Sequence, residues 1–146
     1  MQWRSYELRP AGSPPISPEY KKRIDQARPM FIESMRQEHG VDINPGPFGI
    51  NSRPALVLGK YAEAQGKGEV YHKAVLEAYW QHGRDISDMA VLQELAGVSG
   101  LDPSVVPAAV AGADWIAQVD ADIQTARDYG LDGVPAVVFN SKFLVM

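Results

Sequence analysis

The chain has 146 residues, of which 45% are hydrophobic and 22% are charged, and its net charge is -4. These values indicate one globular unit with a real core, and they argue against the clustered basic surface that nucleic-acid binding requires. No apolar run approaches the ~20 residues needed to span a membrane, and no signal-peptide pattern is visible, so we expect a cytoplasmic protein without membrane or nucleic-acid partners.

The first part of the chain predicts a strand and then a long helix. Residues Trp3–Leu8 alternate between two faces, which is typical of a short strand with one buried face. A proline-rich connector leads to Ser17, whose hydroxyl is expected to cap a helix that ends near His39. Pro29 lies inside the apolar stripe of this helix and predicts a kink or a division into two helices.

Capping residues and glycines predict five further helices in the middle of the chain. These run from Arg53 to Gln65, from Glu69 to His82, from Ser87-Asp88 to about Ala96, from Asp102 to Ala111, and within Gly112 to Gly130. On the first of them, the inward side chains are predicted to be Leu56, Val57, Tyr61 and the stem of Lys60. The aromatic residues of the later helices have helical spacing, which favours a core over a ligand groove; they are Tyr71, Tyr79, Trp80 and Trp115.

The last part of the chain predicts a hairpin. Ala136–Phe139 is short and apolar, which suits a strand covered on both faces. Asn140-Ser141 is placed for a two-residue turn, and Lys142–Met146 resumes the apolar pattern. The element order is therefore one strand, about six helices and two strands. This order predicts an α/β fold in which a large helical unit is inserted into a small sheet.

No metal, cofactor or catalytic site is predicted from residue spacing. The three histidines His39, His72 and His82 lack the i, i+4 spacing of a ligand pair with a carboxylate. The acidic pairs are better explained by helix caps or surface positions; they are Asp85 with Asp88 and Asp120 with Asp122.

Several motifs together resemble one family. They are Gly133-Val134-Pro135 before an apolar strand, Trp3-Arg-Ser-Tyr-Glu-Leu-Arg-Pro10, Asn51-Ser52 with Ala55, Ala78-Tyr79-Trp80, Gly83-Arg-Asp-Ile86, Val91-Leu92 and Leu95-Ala96. In this order and spacing the chain resembles the DsbA-like thioredoxin-fold proteins, in particular the FrnE-like branch. The resemblance implies a cis bond at Val134–Pro135. It also implies that Gly133, Val134 and Pro135 offer backbone groups to an extended peptide or to glutathione, as an added strand would.

The chain has no cysteine. The family resembled here works through a Cys-x-x-Cys at a helix start, so the resemblance implies a thiol–disulfide oxidoreductase relative without a redox centre in this chain. We expect it to be inactive alone. The same resemblance implies a partial thioredoxin-like domain at 1–10 and 131–146, with an inserted helical domain at 11–130.

The resemblance further implies that the family's central first strand and its closing helix are missing from the chain. In the family's strand order of 4-3-1-2, the strands at Trp3–Leu8 and Ala136–Phe139 would each lose a partner. Exposed apolar strand edges recruit other strands, so we expect a homo-oligomer.

Two alternatives stay open. The first is a relative of the glutathione-dependent kappa-class transferases and hydroxychromene-carboxylate isomerases, which share the helical insertion. The second is a non-catalytic helical module that binds a protein partner through an aromatic groove or a sheet edge.

Overall fold

The structure, a computed structural model, describes residues 2–139 and 143–145. Within these ranges the helices are α1 Pro18–His39, α2 Arg53–Ala64, α3 Gly68–Trp80, α4 Met89–Val98, α5 Val106–Val110 and α6 Ala113–Asp128. A 3-10 turn at Pro103–Val105 leads into α5, and the strands are β1 Val137–Phe139 and β2 Phe143–Val145. The prediction of about six helices is thus confirmed.

Local capping chemistry explains where several helices begin. The Ser17 hydroxyl accepts a hydrogen bond from the Tyr20 N–H at 3.1 Å, and Asp88 Oδ1 accepts from the Ala90 N–H at 2.8 Å. Gly40 ends α1 in the left-handed conformation, with φ 65°, which glycine adopts without a steric cost. These predicted boundaries depend on nearest neighbours in sequence, and each is confirmed.

Helix α1 is continuous, so of the two outcomes predicted at Pro29, a kink or a division into two helices, the division does not occur. Pro29 has no backbone N–H, so the helix lacks one hydrogen bond, the one that the Asp25 carbonyl would accept. No residue of α1 is buried, and a carbonyl on such an exposed helix remains open to water. The predicted apolar stripe is also less covered than expected, since the side chain of Phe31 is 47% exposed.

The core is built around α2, which packs against α3, α5 and α6. Leu58 on α2 and Leu92 on α4 are both 0% exposed. Of the four side chains predicted to face inward on α2, Val57 and Lys60 are buried, whereas Leu56 and Tyr61 are half-buried. The other fully buried members of the main apolar cluster are Ala62, Ala96 and Val106.

Residues 2–8 do not form the predicted strand. A β-ladder requires a neighbouring strand, and the segment has no such partner in the described part of the chain. The predicted alternation of its side chains is present in part: Ser5 is buried and the side chain of Glu7 is 6% exposed, while Leu8 is 66% exposed. Trp3, which the alternation places on the same face as Ser5 and Glu7, is 60% exposed. Ser5 and Glu7 therefore face the helices without any sheet pairing.

The two C-terminal strands pair antiparallel, with Val137 opposite Val145 and Phe139 opposite Phe143. The predicted turn at Asn140-Ser141 lies outside the described residues. The expectation that the first strand is covered on both faces is wrong, because Val137 is 42% and Phe139 is 54% exposed. In the described part of the chain, β1 and β2 pair only with each other, and none of the described helices packs extensively against them.

Candidate functional site

Gly133, Val134 and Pro135 form the loop that leads from α6 to β1. Helix α6 ends with a turn at Gly130, where φ is 67°, and the Leu131 N–H donates to the carbonyl of Ala126 at 2.9 Å. The Val134–Pro135 peptide bond is cis. The three residues lie between the end of α6 and the start of β1 at Val137.

The loop is accessible from outside. Val134 is 49% exposed and Pro135 is exposed, while Gly133 is half-buried. Among the described residues, neither the N–H nor the C=O of Val134 is hydrogen-bonded to another backbone group. A free donor and acceptor next to a strand are the groups that an added extended peptide pairs with.

A charged cluster ties the N-terminal segment to the helices. Asp122 of α6, whose side chain is 2% exposed, accepts hydrogen bonds from Lys60 Nζ at 2.7 Å, from Arg4 Nη1 at 2.8 Å and from the Ser5 N–H at 2.8 Å. Lys60 belongs to α2 and its side chain is 7% exposed. We call these four residues the Asp122 clamp. It joins three separate parts of the chain at one carboxylate.

Burial of Asp122 raises the pKa of its carboxyl group, but the hydrogen bonds from Lys60, from the Ser5 N–H and from Arg4 together outweigh it. The net effect is a pKa below the usual aspartate value. The carboxylate is therefore ionised at neutral pH and neutralises the buried ammonium.

A second ion pair lies beside the clamp. Glu7 Oε2 accepts from Arg53 Nη1 at 3.0 Å, and Arg53 also contacts Asp120, which is 57% exposed. The other carboxylate oxygen of Glu7 is buried and has no hydrogen-bond partner among the described residues. Glu7 is thus held through one of its two oxygens.

The sequence prediction was wrong for Asp122, which is neither a cap nor a surface residue. A usable signal was present in Lys60, which was predicted on the inward face of α2, because a buried ammonium requires an anionic partner. The prediction is confirmed for Asp88, which caps α4. Asp85 accepts from the Ser87 N–H at 2.9 Å and so also stabilises a turn before that helix.

The four aromatic residues predicted to form a core differ in burial: Tyr79 and Trp115 are half-buried, whereas Tyr71 and Trp80 are the two extremes. Tyr71 is buried at 3% exposure, and its hydroxyl donates to the Ala55 carbonyl at 3.1 Å. Trp80 is 41% exposed, and it lines an open groove together with Trp3 and His72. The core prediction therefore holds for Tyr71 and is wrong for Trp80, whose position at the last turn of α3 leaves it uncovered.

In the described part of the chain, no three histidine or acidic side chains converge as a metal site would require. Nor do the described helices include one that is both long and apolar enough to cross a membrane.

The chain is similar to known proteins at the level of a sequence family and at the level of the fold. A family model described as "DSBA-like thioredoxin domain" matches residues 1–146. The uncharacterized protein YwbO of Bacillus subtilis is 30% identical over 107 residues, which cover 70% of this chain and 52% of that protein.

Solved structures show the same fold at lower identity. A probable DsbA oxidoreductase of Streptomyces coelicolor aligns with a TM-score of 0.72 at 23% identity, covering 86% of this chain and 54% of the other. A putative protein disulfide isomerase of Nitrosomonas europaea aligns with a TM-score of 0.67 at 17% identity, covering 91% and 68%. The chain spans about half the length of YwbO and of the Streptomyces protein.

Proposed function

Because the chain belongs to the DsbA-like thioredoxin domain family, we propose that it is a thiol–disulfide oxidoreductase relative that holds extended peptides and has no redox centre of its own. Gly133, Val134 and Pro135 are the residues proposed to hold the peptide. We place the chain in the FrnE-like branch of the family on its sequence motifs. The role proposed is recognition, with the electron transfer left to thiols elsewhere.

The observation that carries the proposal is that the backbone of Val134 is unpaired among the described residues. Its N–H and C=O have no backbone partner among the described residues, and its side chain is half-exposed. An extended peptide that pairs with both groups would continue the two-stranded hairpin by one strand. The exposed side chains of Val137 and Phe139 would then contact alternate side chains of that peptide.

The lack of cysteine supports the part of the proposal that gives this chain no redox centre of its own. Disulfide exchange begins with attack by a thiolate on a disulfide sulfur, and this chain contains no cysteine. We expect the isolated 146-residue chain to give no turnover above the buffer blank in an insulin-reduction assay. Turnover from protein whose mass matches this sequence would contradict the proposal.

Binding at the loop is tested with two variants of one residue. Val134→Pro removes the N–H donor, whereas Val134→Ala keeps it and shortens only the side chain. We expect a synthetic extended peptide to bind the wild type and Val134→Ala, measured by calorimetry, and to lose binding at least about tenfold in Val134→Pro. Equal affinities for all three proteins would show that Val134 does not pair with the peptide.

Measured binding of glutathione would distinguish the kappa-class alternative from the proposed peptide-binding role. Reduced glutathione is itself a short extended peptide, and the same backbone groups could hold it. Binding of glutathione in preference to longer peptides would favour a relative of the glutathione-dependent transferases and isomerases. Peptide binding without glutathione binding would favour the proposed role or the helical interaction module.

We also propose that copies of the chain associate through the hairpin. Val137, Phe139 and Val145 are 42%, 54% and 57% exposed, so the strand pair presents apolar side chains that a second hairpin could cover. Sedimentation should give a dimer at micromolar concentration, and Phe139→Lys should shift it to monomer. A monomer in both proteins would contradict this part of the proposal.

A further inference from the structure

An open groove lies between the N-terminal segment, the loop that follows α1 and the outer face of α3. Its volume is about 440 Å³, and its walls are the apolar residues Trp3, Val41, Ile43, Leu76 and Trp80 together with His72. We call this the Trp3 groove. The volume falls within the ~300–1,000 Å³ range of ligand pockets. Neither the Val134 loop nor any other part of the hairpin is among the described residues that line it.

The walls of the groove are fixed by specific contacts. The ring of Trp3 lies 4.9 Å from that of His72, centroid to centroid. On the other side, the Asn44 N–H donates to the Trp80 carbonyl at 2.7 Å and the Gly46 N–H donates to the Tyr79 carbonyl at 2.6 Å. These bonds hold the loop against the end of α3, so the groove is formed before any ligand arrives.

The apolar walls remain unusually open to solvent. Trp3 is 60%, Leu76 is 44% and Trp80 is 41% exposed. Aromatic side chains that converge on one groove gain free energy when a ligand covers them, at about 25 cal/mol per Å² of apolar surface. The groove therefore favours an occupant with an apolar body.

The rim of the groove is acidic. Glu69 and Glu77 line it together with one lysine, Lys73. Lys73 Nζ lies 3.8 Å from Glu77 and already offsets that carboxylate, whereas Glu69 takes part in no ion pair among the described residues. One negative charge is thus left beside two exposed indole rings. Indole faces attract cations, and a carboxylate nearby adds to that attraction.

We propose that the Trp3 groove binds a peptide segment that places an aromatic or aliphatic side chain next to an arginine or lysine. The apolar side chain would fill the space between Trp3 and Trp80. The cation would lie over an indole face, within reach of Glu69. This site goes beyond the proposed function, because it uses α3 and the N-terminal segment and not the Val134 loop.

Two of the three tryptophans lie in the groove, so intrinsic fluorescence reports directly on binding. Trp115 packs against Tyr61 outside the groove, with ring centroids 5.8 Å apart, and Trp115→Phe would remove its background signal. In that variant we expect acetyl-Phe-Arg-Phe-Arg-amide to change the emission on titration. The charge-reversed peptide acetyl-Phe-Glu-Phe-Glu-amide should bind at least about tenfold more weakly.

Substitutions then locate the site. Glu69→Gln should weaken binding of the basic peptide by up to roughly fivefold, the factor expected for one exposed ion pair. The matched control is Glu19→Gln, because Glu19 is an exposed acid in the first turn of α1 as Glu69 is in the first turn of α3. Trp3→Ala, followed through Trp80 alone, should abolish most of the affinity. Pro135→Ala should leave it unchanged, which separates this groove from the Val134 loop.

Several results would overturn the proposal. Equal affinity for the two peptides would show that charge plays no part, and equal losses in Glu69→Gln and Glu19→Gln would show only a long-range effect of net charge. Absence of any emission change, with calorimetry also showing no binding, would show that the groove does not take this class of peptide. Loss of binding in Pro135→Ala but not in Trp3→Ala would move the peptide to the hairpin.

Discussion

The helical unit formed by α2 to α6 and the three pieces that flank it are held by different forces. Within the unit, side chains such as Leu58, Leu92 and Val106 are 0% exposed and pack against one another. Outside it, α1 has no buried residue, the hairpin exposes Phe139, and residues 2–8 are held by charged groups. One chain thus contains a unit with its own apolar core and segments without one.

This difference shows that a segment can be bound to the helical unit without contributing side chains to its apolar core. Full burial of a leucine side chain contributes about 1.5–3 kcal/mol, with no requirement on direction. The Asp122 clamp adds to the stability only if its geometry is complete, because the attraction between the buried charges must offset the cost of removing them from water. The helical unit should therefore tolerate small shifts, whereas the attachment of the N-terminal segment should be lost when one partner is removed.

The largest effect should come from removing the carboxylate of the clamp. Asp122→Ala leaves Lys60 buried without its main partner, which typically costs about 3–5 kcal/mol of unfolding free energy. Urea unfolding followed by circular dichroism would measure it. Asp120→Ala is the control, because that side chain is 57% exposed and should cost less than about 1 kcal/mol. Equal losses in the two variants would mean that the clamp is not a buried ion pair.

A double substitution sharpens the same point. Asp122→Leu with Lys60→Met removes both charges and fills the space with apolar groups. We expect most of the lost stability to return, while the anchoring of the N-terminal segment does not, as measured by proteolysis near Arg4. If the double variant is as unstable as Asp122→Ala, packing and not charge explains the first result.

Leucine truncation compares the two regions with one chemical change. Leu58→Ala in α2 opens a cavity at a fully buried position and should cost about 2–5 kcal/mol. Leu8→Ala, at a position 66% exposed, should change the unfolding free energy by less than about 0.5 kcal/mol. A large loss for Leu8→Ala would show that the N-terminal segment belongs to the apolar core.

A smaller effect is expected where the loop after α1 meets α3. A Cβ on Gly46 would lie 2.3 Å from the Arg84 carbonyl oxygen and 2.7 Å from the ring of Tyr79, so Gly46→Ala forces the loop outward. We expect a loss of about 1–3 kcal/mol in chemical unfolding. Gly133→Ala is the control, since an added Cβ there meets nothing within 4 Å. Similar behaviour of both variants would show that the loop is not pressed against α3.

The smallest effect concerns pH. The pKa of Asp122 is lowered in the folded chain, so its contribution to stability is complete above the unfolded value of about 3.9 and is lost as pH falls through the lower folded value. The difference in unfolding free energy between wild type and Asp122→Asn should therefore shrink progressively as the pH falls below about 5. A difference that stays constant over this range would contradict the assignment of the shift to this carboxylate.

Features set by neighbouring residues could be predicted from the sequence. Ser17, Gly40 and Asp88 act on backbone groups within a few positions, and their roles followed from residue type. The family resemblance also led to the DsbA-like fold, which the family match confirms. The loop at Val134 was selected by that resemblance, since its composition alone is that of an ordinary turn.

Features set by distant partners could not be predicted in the same way. Alternation at residues 3–8 indicated a strand, but whether a strand forms depends on a neighbour that local sequence does not specify. Asp122 resembled a surface acid because its partner Arg4 lies 118 positions away. The exposure of Trp80 likewise depends on which segment crosses the end of α3.

The span of the Asp122 clamp has a consequence for the order in which the chain can fold during synthesis. The Ser5 N–H and its acceptor are separated by 117 positions, so the ribosome makes the donor long before the acceptor. At about 5–20 residues per second this interval is on the order of ten seconds. Throughout it, the first residues have no carboxylate to bind, and Lys60 has to remain hydrated or pair elsewhere. The N-terminal segment can therefore attach only after α6 has been synthesised. A nascent chain halted before Asp122 would leave that segment open to proteases and chaperones.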